Sequence, residues 1–318
     1  SHCWIDFGIY LSGEQTFLEL VNSLDLPQTV RGVFYRKNGG IKFSGKRNDV
    51  QWDSYRIPSR KKFSVCKYNV RDFSMNVQSK KGCSHKCIYC VYPQLEGAVS
   101  VRAVGNVVDE IEYLTETYGI TSIYFVDGCF NIPKEHAVGI CHEIIKRNIN
   151  VKLAGFFNLA GIDMQFIDLC QRAGFVQFWF SLDGYSDETL EFMGKEIRKK
   201  HMHAILQHIQ GSLNSGIECS FSVFLLPQST RSILSFLRFL FFVIWLRITF
   251  RKNLRILKVN NIRIHPNTPL ERIARAMGVI GDENLLIPKF FITSTVVNDI
   301  CMKIVSMFTK NKCVPQME

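Results

Sequence analysis

The residues with the clearest chemistry in this chain are three cysteines in one short loop, Cys83, Cys87 and Cys90. Their CxxxCxxC spacing puts three thiolates within reach of one compact metal centre. Soft sulfur ligands select iron–sulfur clusters, zinc or Cu(I) over hard cations. A cubane cluster has about four irons, so three protein thiolates leave one iron open to another ligand. An open metal position is typical of a reactive site rather than of a closed structural one.

Zinc is the alternative metal for this loop. His85 could complete a Cys₃His set, and both gaps between the cysteines fall within the usual zinc range. A second paired set is missing, because the nearest other cysteines, Cys66 and Cys129, lie far away in the sequence and stand alone. The loop by itself favours an iron–sulfur cluster over zinc and leaves both open.

An aromatic residue, Tyr89, directly precedes the third cysteine, and with it the loop resembles the signature of the radical S-adenosylmethionine (SAM) enzymes. The resemblance implies that Cys83, Cys87 and Cys90 bind a 4Fe-4S cluster. The amino and carboxylate groups of SAM would chelate the fourth iron. One electron from the cluster then cleaves the sulfonium and releases a 5′-deoxyadenosyl radical, which abstracts hydrogen from a substrate. Tyr89 would lie against the adenine.

Other residues that the resemblance marks as cofactor-binding stand at predicted strand ends, where α/β barrels place their chemistry. Asp127 follows the second strand, where the family binds the methionine amino nitrogen; its alternative role is a helix cap. Ser181 and Asp183 match the region that contacts the ribose and carboxylate, with an ordinary Asp-Gly turn as the alternative. Ile264 and Pro266 match the last-strand segment whose backbone meets adenine.

Six strand-like runs alternate with helical stretches between Phe73 and Ile264. Such alternation implies right-handed βαβ units and a parallel sheet. We therefore predict an α/β fold, a partial (β/α)₆ barrel with parallel strands, which also matches the open barrel of radical SAM enzymes. The predicted strands are 72–77, 121–126, 151–154, 175–182, 217–226 and 261–264.

Helix signals separate these strands. Apolar residues at helical spacing predict a helix over 104–118, which Gly119 ends. Pro133 and Ser186 stand where helices begin. The longest apolar run, 239–246, is far shorter than the roughly 20 residues that a membrane span needs. We therefore predict a buried helix there and no transmembrane segment.

The first 65 residues resemble the tail of the cobalamin-binding, Rossmann-like domain that precedes the barrel in one radical SAM subclass. Gly13 and Glu14 would start its last helix, and 30–35 with 40–43 suggest a hairpin. We predict a remnant and linker over 1–65, a radical SAM core over 66–278 and a C-terminal extension over 279–318. The first residue is Ser1, which hints at a fragment, and 65 residues alone cannot enclose a corrin ring.

The composition is that of an ordinary globular protein, with 47% hydrophobic and 21% charged residues among 318. Eleven scattered cysteines and no visible signal peptide predict a reducing, cytoplasmic location. The net charge of +11 attracts phosphate backbones, so RNA stands as a less favoured substrate or partner.

The sequence thus predicts a radical SAM enzyme with a 4Fe-4S cluster and SAM, supplied with electrons by a donor such as flavodoxin or ferredoxin. The resemblance implies cobalamin-dependent-type methylation of an unactivated carbon on a small molecule or peptide. Cobalamin binding depends on a domain that would lie upstream. Two alternatives remain: cobalamin-free radical chemistry such as sulfur insertion or rearrangement, on RNA among other substrates, and a zinc-stabilised binding module without catalysis.

Overall fold

A computed structural model gives the fold of most of the chain. It describes residues 5–47, 53, 57–65, 73, 75–214, 216–282, 285 and 287–309. Cys66 and part of the first predicted strand, 72–77, lie outside the described residues.

The centre of the fold is a six-stranded parallel sheet, and this confirms the predicted α/β partial barrel. Its strands stand side by side in chain order. Because each strand pairs with the next one of the sheet, every right-handed crossover puts its helix on the same face. The opposite face is the inner face of the partial barrel. The strands are β4 (Met75–Val77), β7 (Ser122–Phe125), β8 (Lys152–Phe157), β9 (Phe175–Asp183), β10 (Glu218–Phe224) and β11 (Leu254–Asn260).

Helices cover the outer face, and their ends follow the sequence signals. Gly119, at φ +62°, ends the first of them in the left-handed conformation, and Ser186 forms a capping box with Thr189. The longer helices are α3 (Val104–Tyr118), α4 (Lys134–Lys146), α5 (Met164–Arg172), α7 (Lys199–Ser212), α9 (Ile233–Thr249) and α11 (Thr295–Ser306). The shorter ones are α2 (Tyr92–Glu96), α6 (Asp187–Phe192), α8 (Pro227–Thr230) and α10 (Pro269–Ala276).

The sixth strand of the sheet was placed wrongly from the sequence. The prediction was 261–264, but the strand is β11, Leu254–Asn260. It contains the charged residues Arg255 and Lys258, and in the sequence these make the strand resemble part of an exposed basic run. Leu257 and Val259 are buried, whereas Arg255 forms an ion pair with Glu218 at 2.5 Å. Two residues of the predicted strand form β12 (Arg263–Ile264), which pairs with β13 (Lys289–Phe290) in a separate antiparallel ladder.

Aromatic side chains fill the space between the sheet and its helices. Phe175 is fully buried, and its ring centroid lies 4.8 Å from that of Phe130 and 5.4 Å from that of Phe157. Such ring pairs add to the large apolar area that each phenylalanine buries. Helix α11 adds Cys301 and Val305 to the same core, so the predicted C-terminal extension packs onto the sheet. This packing gives the strand ends a rigid base.

The N-terminal residues form a small separate sheet. Strands β1 (Phe7–Ile9), β2 (Val33–Lys37) and β3 (Gly40–Phe43) are antiparallel, and β2 and β3 make the predicted hairpin. Helix α1 (Glu14–Val21) begins directly after Gly13, as predicted. A Rossmann-like domain has a parallel sheet, whereas this N-terminal sheet is antiparallel. Helix α1 is therefore the element of residues 5–47 that fits the predicted remnant of such a domain. None of the described helices has both the length and the apolar character needed to cross a membrane.

Candidate metal and cofactor site

The cysteine loop follows the carboxyl end of β4, after a short strand β5 (Lys80–Lys81) that pairs with β6 (Ser100–Val101). Cys83, Cys87 and Cys90 are half-buried, and all three lie within electrostatic reach of one another. Within the described part of the chain, no group of three or more His, Cys, Asp and Glu side chains converges on a single metal ion. The thiols of a cubane cluster bind different irons, so its ligands stand farther apart than those of one ion.

Two distant segments of the chain hold the backbone of the cysteine loop. The Ile88 amide donates a hydrogen bond to the Met193 carbonyl at 3.3 Å, and the Ile88 carbonyl accepts one from the Leu270 amide at 3.0 Å. Gly194 packs so closely that an added Cβ would lie 2.7 Å from the Lys86 carbonyl oxygen. The loop conformation is therefore set by tertiary contacts as well as by its own sequence.

A buried carboxylate, Asp183, links three residues of the site. The Tyr89 hydroxyl donates to Asp183 Oδ2 at 2.7 Å, and the Ser181 hydroxyl donates to Asp183 Oδ1 at 2.7 Å. Lys195 Nζ lies 2.5 Å from Asp183 Oδ2, and the Asp183 side chain is 0% exposed. The structure thus brings together Tyr89, Ser181 and Asp183, which were predicted to bind different parts of the cofactor. Sequence reasoning missed Lys195, because a single lysine in a helix-rich region carries no signal.

Charge and burial shift the pKa values of this group. Burial, reinforced by the Asp183 charge, raises the pKa of Tyr89, so its hydroxyl stays a donor. Burial opposes the charged form of Lys195, but the negative charges of Asp183 and Cys87 outweigh it and raise the Lys195 pKa. Lys195 is therefore an ammonium beside the cysteine thiols.

Asp127 holds the start of the cysteine loop. Its Oδ1 accepts hydrogen bonds from the Ser79 amide at 2.8 Å and the Lys80 amide at 3.2 Å, and its Oδ2 accepts one from the Ser79 hydroxyl at 2.5 Å. The side chain is buried, with 1% of the residue exposed. The helix-cap alternative for Asp127 is wrong, since α4 begins at Lys134 with Pro133 at its N-cap. Contact with the methionine amino group stays a prediction.

A second buried lysine and a fourth thiol flank Cys83. The Lys80 ammonium donates to the backbone carbonyls of Cys129, Phe130 and Ile132, and burial lowers the Lys80 pKa. Cys129 is half-buried, and its thiol contacts Cys83. That contact, with help from the His85 amide, lowers the pKa of Cys83 to about 5.

His85 has a protein partner in this structure. Its Nε2 lies 2.9 Å from the Asn158 side-chain nitrogen. Asn131 in turn holds the Asn158 backbone, through a bond from the Asn158 amide at 2.9 Å. The histidine that would complete a zinc site is thus tied to the loop after β8.

The predicted adenine segment lies beside the cysteine loop. Ile264 is buried in a small apolar cluster that Ile88 and Tyr89 also contact, whereas Pro266 is exposed. The Gln94 side chain, in helix α2, donates to the Asn267 carbonyl at 2.8 Å. The backbone of this segment therefore runs past the site, although it lies outside the six-stranded sheet.

The donor set fits an anionic iron–sulfur cluster. Three half-buried thiols lie within electrostatic reach of one another, and two ammonium groups, the buried Lys80 and the half-buried Lys195, lie close enough to interact with them. Thiolates are the usual ligands of such clusters, and the cationic groups offset the negative charge that thiolates and sulfides bring.

We expect Lys195→Met to lower the free energy of unfolding by about 3–5 kcal/mol, because it leaves Asp183 buried without its cation. Urea denaturation measures the change. Lys86→Met is the matched control, since Lys86 is an exposed lysine of the cysteine loop. The double variant Lys195→Met, Asp183→Asn should recover part of the loss because no unpaired charge remains. Equal stability of Lys195→Met and Lys86→Met would contradict the assigned ion pair.

Comparisons with known proteins show the family of the chain. The model of a family described as the Radical SAM superfamily matches residues 77–240, more than half of the chain. An uncharacterized methyltransferase of Pyrococcus horikoshii is 26% identical over 199 residues, which cover 61% of this chain and 43% of the relative. The tryptophan 2-C-methyltransferase of Streptomyces laurentii is 30% identical over 108 residues, covering 31% of this chain and 18% of the relative. The chain thus spans less than half the length of these curated relatives.

Solved structures share the fold. The radical SAM methyltransferase TsrM from Kitasatospora setae, with cobalamin and a 4Fe-4S cluster bound, superposes with a TM-score of 0.68 at 20% identity, covering 86% of this chain and 54% of that one. OxsB, a cobalamin-dependent SAM radical enzyme with aqua-cobalamin and SAM bound, gives a TM-score of 0.74 at 13% identity, covering 92% of this chain and 49% of that one.

Proposed function

The chain belongs to the radical SAM superfamily, and we propose that it is an enzyme that binds a 4Fe-4S cluster through Cys83, Cys87 and Cys90 and methylates a carbon of a small molecule or peptide. The family implies the cluster and SAM. The observation that carries the proposal is the cysteine loop at the carboxyl edge of the sheet, with Tyr89 joined to the buried Asp183 at 2.7 Å. When bound, the cluster supplies an electron to the sulfonium of SAM.

The chain's own residues prepare the site for this chemistry. The Cys129 contact lowers the pKa of Cys83, whereas burial raises the pKa values of Cys87 and Cys90. Loading the cluster therefore displaces protons from these two thiols. Ser181 is exposed beside Asp183, and we assign its hydroxyl to the ribose of SAM.

Methyl transfer is the reaction class that the relatives favour, since two of them are named as methyltransferases. Cobalamin is bound in TsrM and OxsB. In this chain, one helix and a three-stranded antiparallel sheet over residues 5–47 do not form a domain that encloses a corrin. We take SAM as the source of the methyl group.

Anaerobic reconstitution tests the proposal. We expect about four irons per chain. With dithionite, flavodoxin or ferredoxin as reductant and methyl-deuterated SAM, we expect labelled methyl in a product together with S-adenosylhomocysteine, the residue of the SAM that gave its methyl group. A radical step on the substrate carbon adds 5′-deoxyadenosine and methionine from a second SAM. Release of 5′-deoxyadenosine without methyl transfer would favour cobalamin-free radical chemistry instead, and added RNA or cobalamin tests those partners. Stoichiometric zinc with no uptake of iron would overturn the proposal and support a binding module.

A further inference from the structure

Three aromatic side chains lie on the inner face of the barrel, on adjacent strands. Successive residues of a strand point to opposite faces. Phe125, Phe157 and Phe178 are buried under the outer helices, so their neighbours Tyr124, Phe156 and Trp179 point inward. We call these three residues the inner aromatic group.

The central ring of the inner aromatic group has open surface. Phe156 is 37% exposed, whereas Phe157, the next residue, is 2% exposed. The Phe156 ring lies between the other two, with centroids at 6.1 Å from Tyr124 and 5.9 Å from Trp179. The interplanar angles are 89° and 64°. This edge-to-face arrangement is one that aromatic rings prefer, and a further ring can extend it.

The backbone of Phe156 is connected to a segment that contacts the cysteine site. The Phe156 carbonyl accepts a hydrogen bond from the Phe130 amide at 2.6 Å, and Cys129, the preceding residue, contacts Cys83. Phe156 is also one residue from the end of β8, and Tyr124 one residue from the end of β7. The rings therefore stand just below the carboxyl edge.

Polar side chains close the opposite, amino end of the inner face. Gln177 accepts a hydrogen bond from the Trp179 indole at 3.4 Å and donates to Glu218 at 3.0 Å, and Glu218 pairs with Arg255 at 2.5 Å. The indole nitrogen is thus directed away from the carboxyl edge.

We propose that the inner aromatic group is the substrate subsite and that it binds a planar aromatic ring of the substrate, whose reacting carbon then lies toward the cysteine loop. The inference rests on the proposed function, because it takes the carboxyl edge as the place of reaction. An aromatic ring matches the edge-to-face geometry, whereas a saturated ring of equal size offers neither a π-face nor a flat edge.

Binding of two probes to the full chain tests the subsite. Saturation-transfer NMR compares 1-naphthol with decahydro-1-naphthol, a saturated molecule with the same skeleton. We expect 1-naphthol to bind about 2- to 10-fold more tightly, the range that one aromatic contact supplies. Phe156→Leu and Trp179→Leu should remove this preference, because each keeps an apolar side chain and loses the ring. Phe241→Leu, which changes an exposed phenylalanine of helix α9, should keep it.

The outcomes separate this inference from the proposed function. Equal binding of the two probes, or an unchanged preference in both Phe156→Leu and Trp179→Leu, would overturn the aromatic subsite. Iron content is measured on the same reconstituted samples. A chain that binds about four irons but shows no preference for 1-naphthol would contradict the aromatic subsite and leave the proposed function standing. Failure of the chain to take up iron would contradict the proposed function, and the reaction that this subsite would serve would then also be contradicted.

Discussion

Cys87→Ala is expected to reduce the iron content from about four per chain to near zero and to abolish turnover of SAM. Cys87 is the middle cysteine of the loop, and its neighbours Lys86 and Ile88 contact Gly194, Met193 and Leu270. A loop held on both sides of the missing thiolate cannot move another ligand into its place. Iron analysis and the absorption and EPR spectra of the reconstituted variant measure the loss.

Cys219→Ala is the matched control for this experiment. Cys219 is a fully buried cysteine of β10, in the core between sheet and helices. Its replacement should leave iron content at the level of the unmodified chain. Cys129→Ala adds a second comparison of iron content, since Cys129 contacts Cys83 but does not belong to the CxxxCxxC motif. Full iron content in Cys87→Ala would show that the cluster ligands are assigned to the wrong residues.

Gly82→Ala is expected to displace the cysteine loop and remove most of the iron. Gly82 has φ +74°, and an added Cβ would lie 2.4 Å from the carbonyl oxygen of Ala98. Both the left-handed conformation and the close approach to backbone oppose a side chain, and neither can be relieved by a rotamer change. The strain alone costs about 1–3 kcal/mol. Iron content after reconstitution, with circular dichroism to check the fold, measures the effect.

Gly105→Ala provides the control for Gly82→Ala. Gly105 lies in helix α3, where an added Cβ meets no atom within 4 Å. Alanine should raise helix stability by roughly 0.5–1 kcal/mol and leave iron content unchanged. If Gly82→Ala retained as much iron as Gly105→Ala, the loop would not depend on the contact between Gly82 and Ala98.

Local sequence signals were sufficient for much of the fold. The sequence is sufficient for the CxxxCxxC spacing, for the helix over 104–118 with its terminal glycine and for five of the six parallel strands. Each of these depends on residues that are close in sequence, so propensity, periodicity and caps report them directly. The sixth strand failed because Arg255 and Lys258 gave it the appearance of an exposed basic run. Pairing of Arg255 with Glu218, on another strand, is invisible in a local pattern.

The chemistry of the chain, three soft ligands in one loop within an α/β fold, was therefore determined by the sequence itself. Only the tertiary structure decided how that loop is held: by Met193, Gly194 and Leu270 on its backbone and by Asp183 on Tyr89. It also decided that Lys195 is an ammonium beside the thiols and that Cys129 faces Cys83. The physical reason is that the contacts to the loop join residues from 46 to 182 positions apart, and such pairs meet only when the segments that follow the strands share one sheet edge.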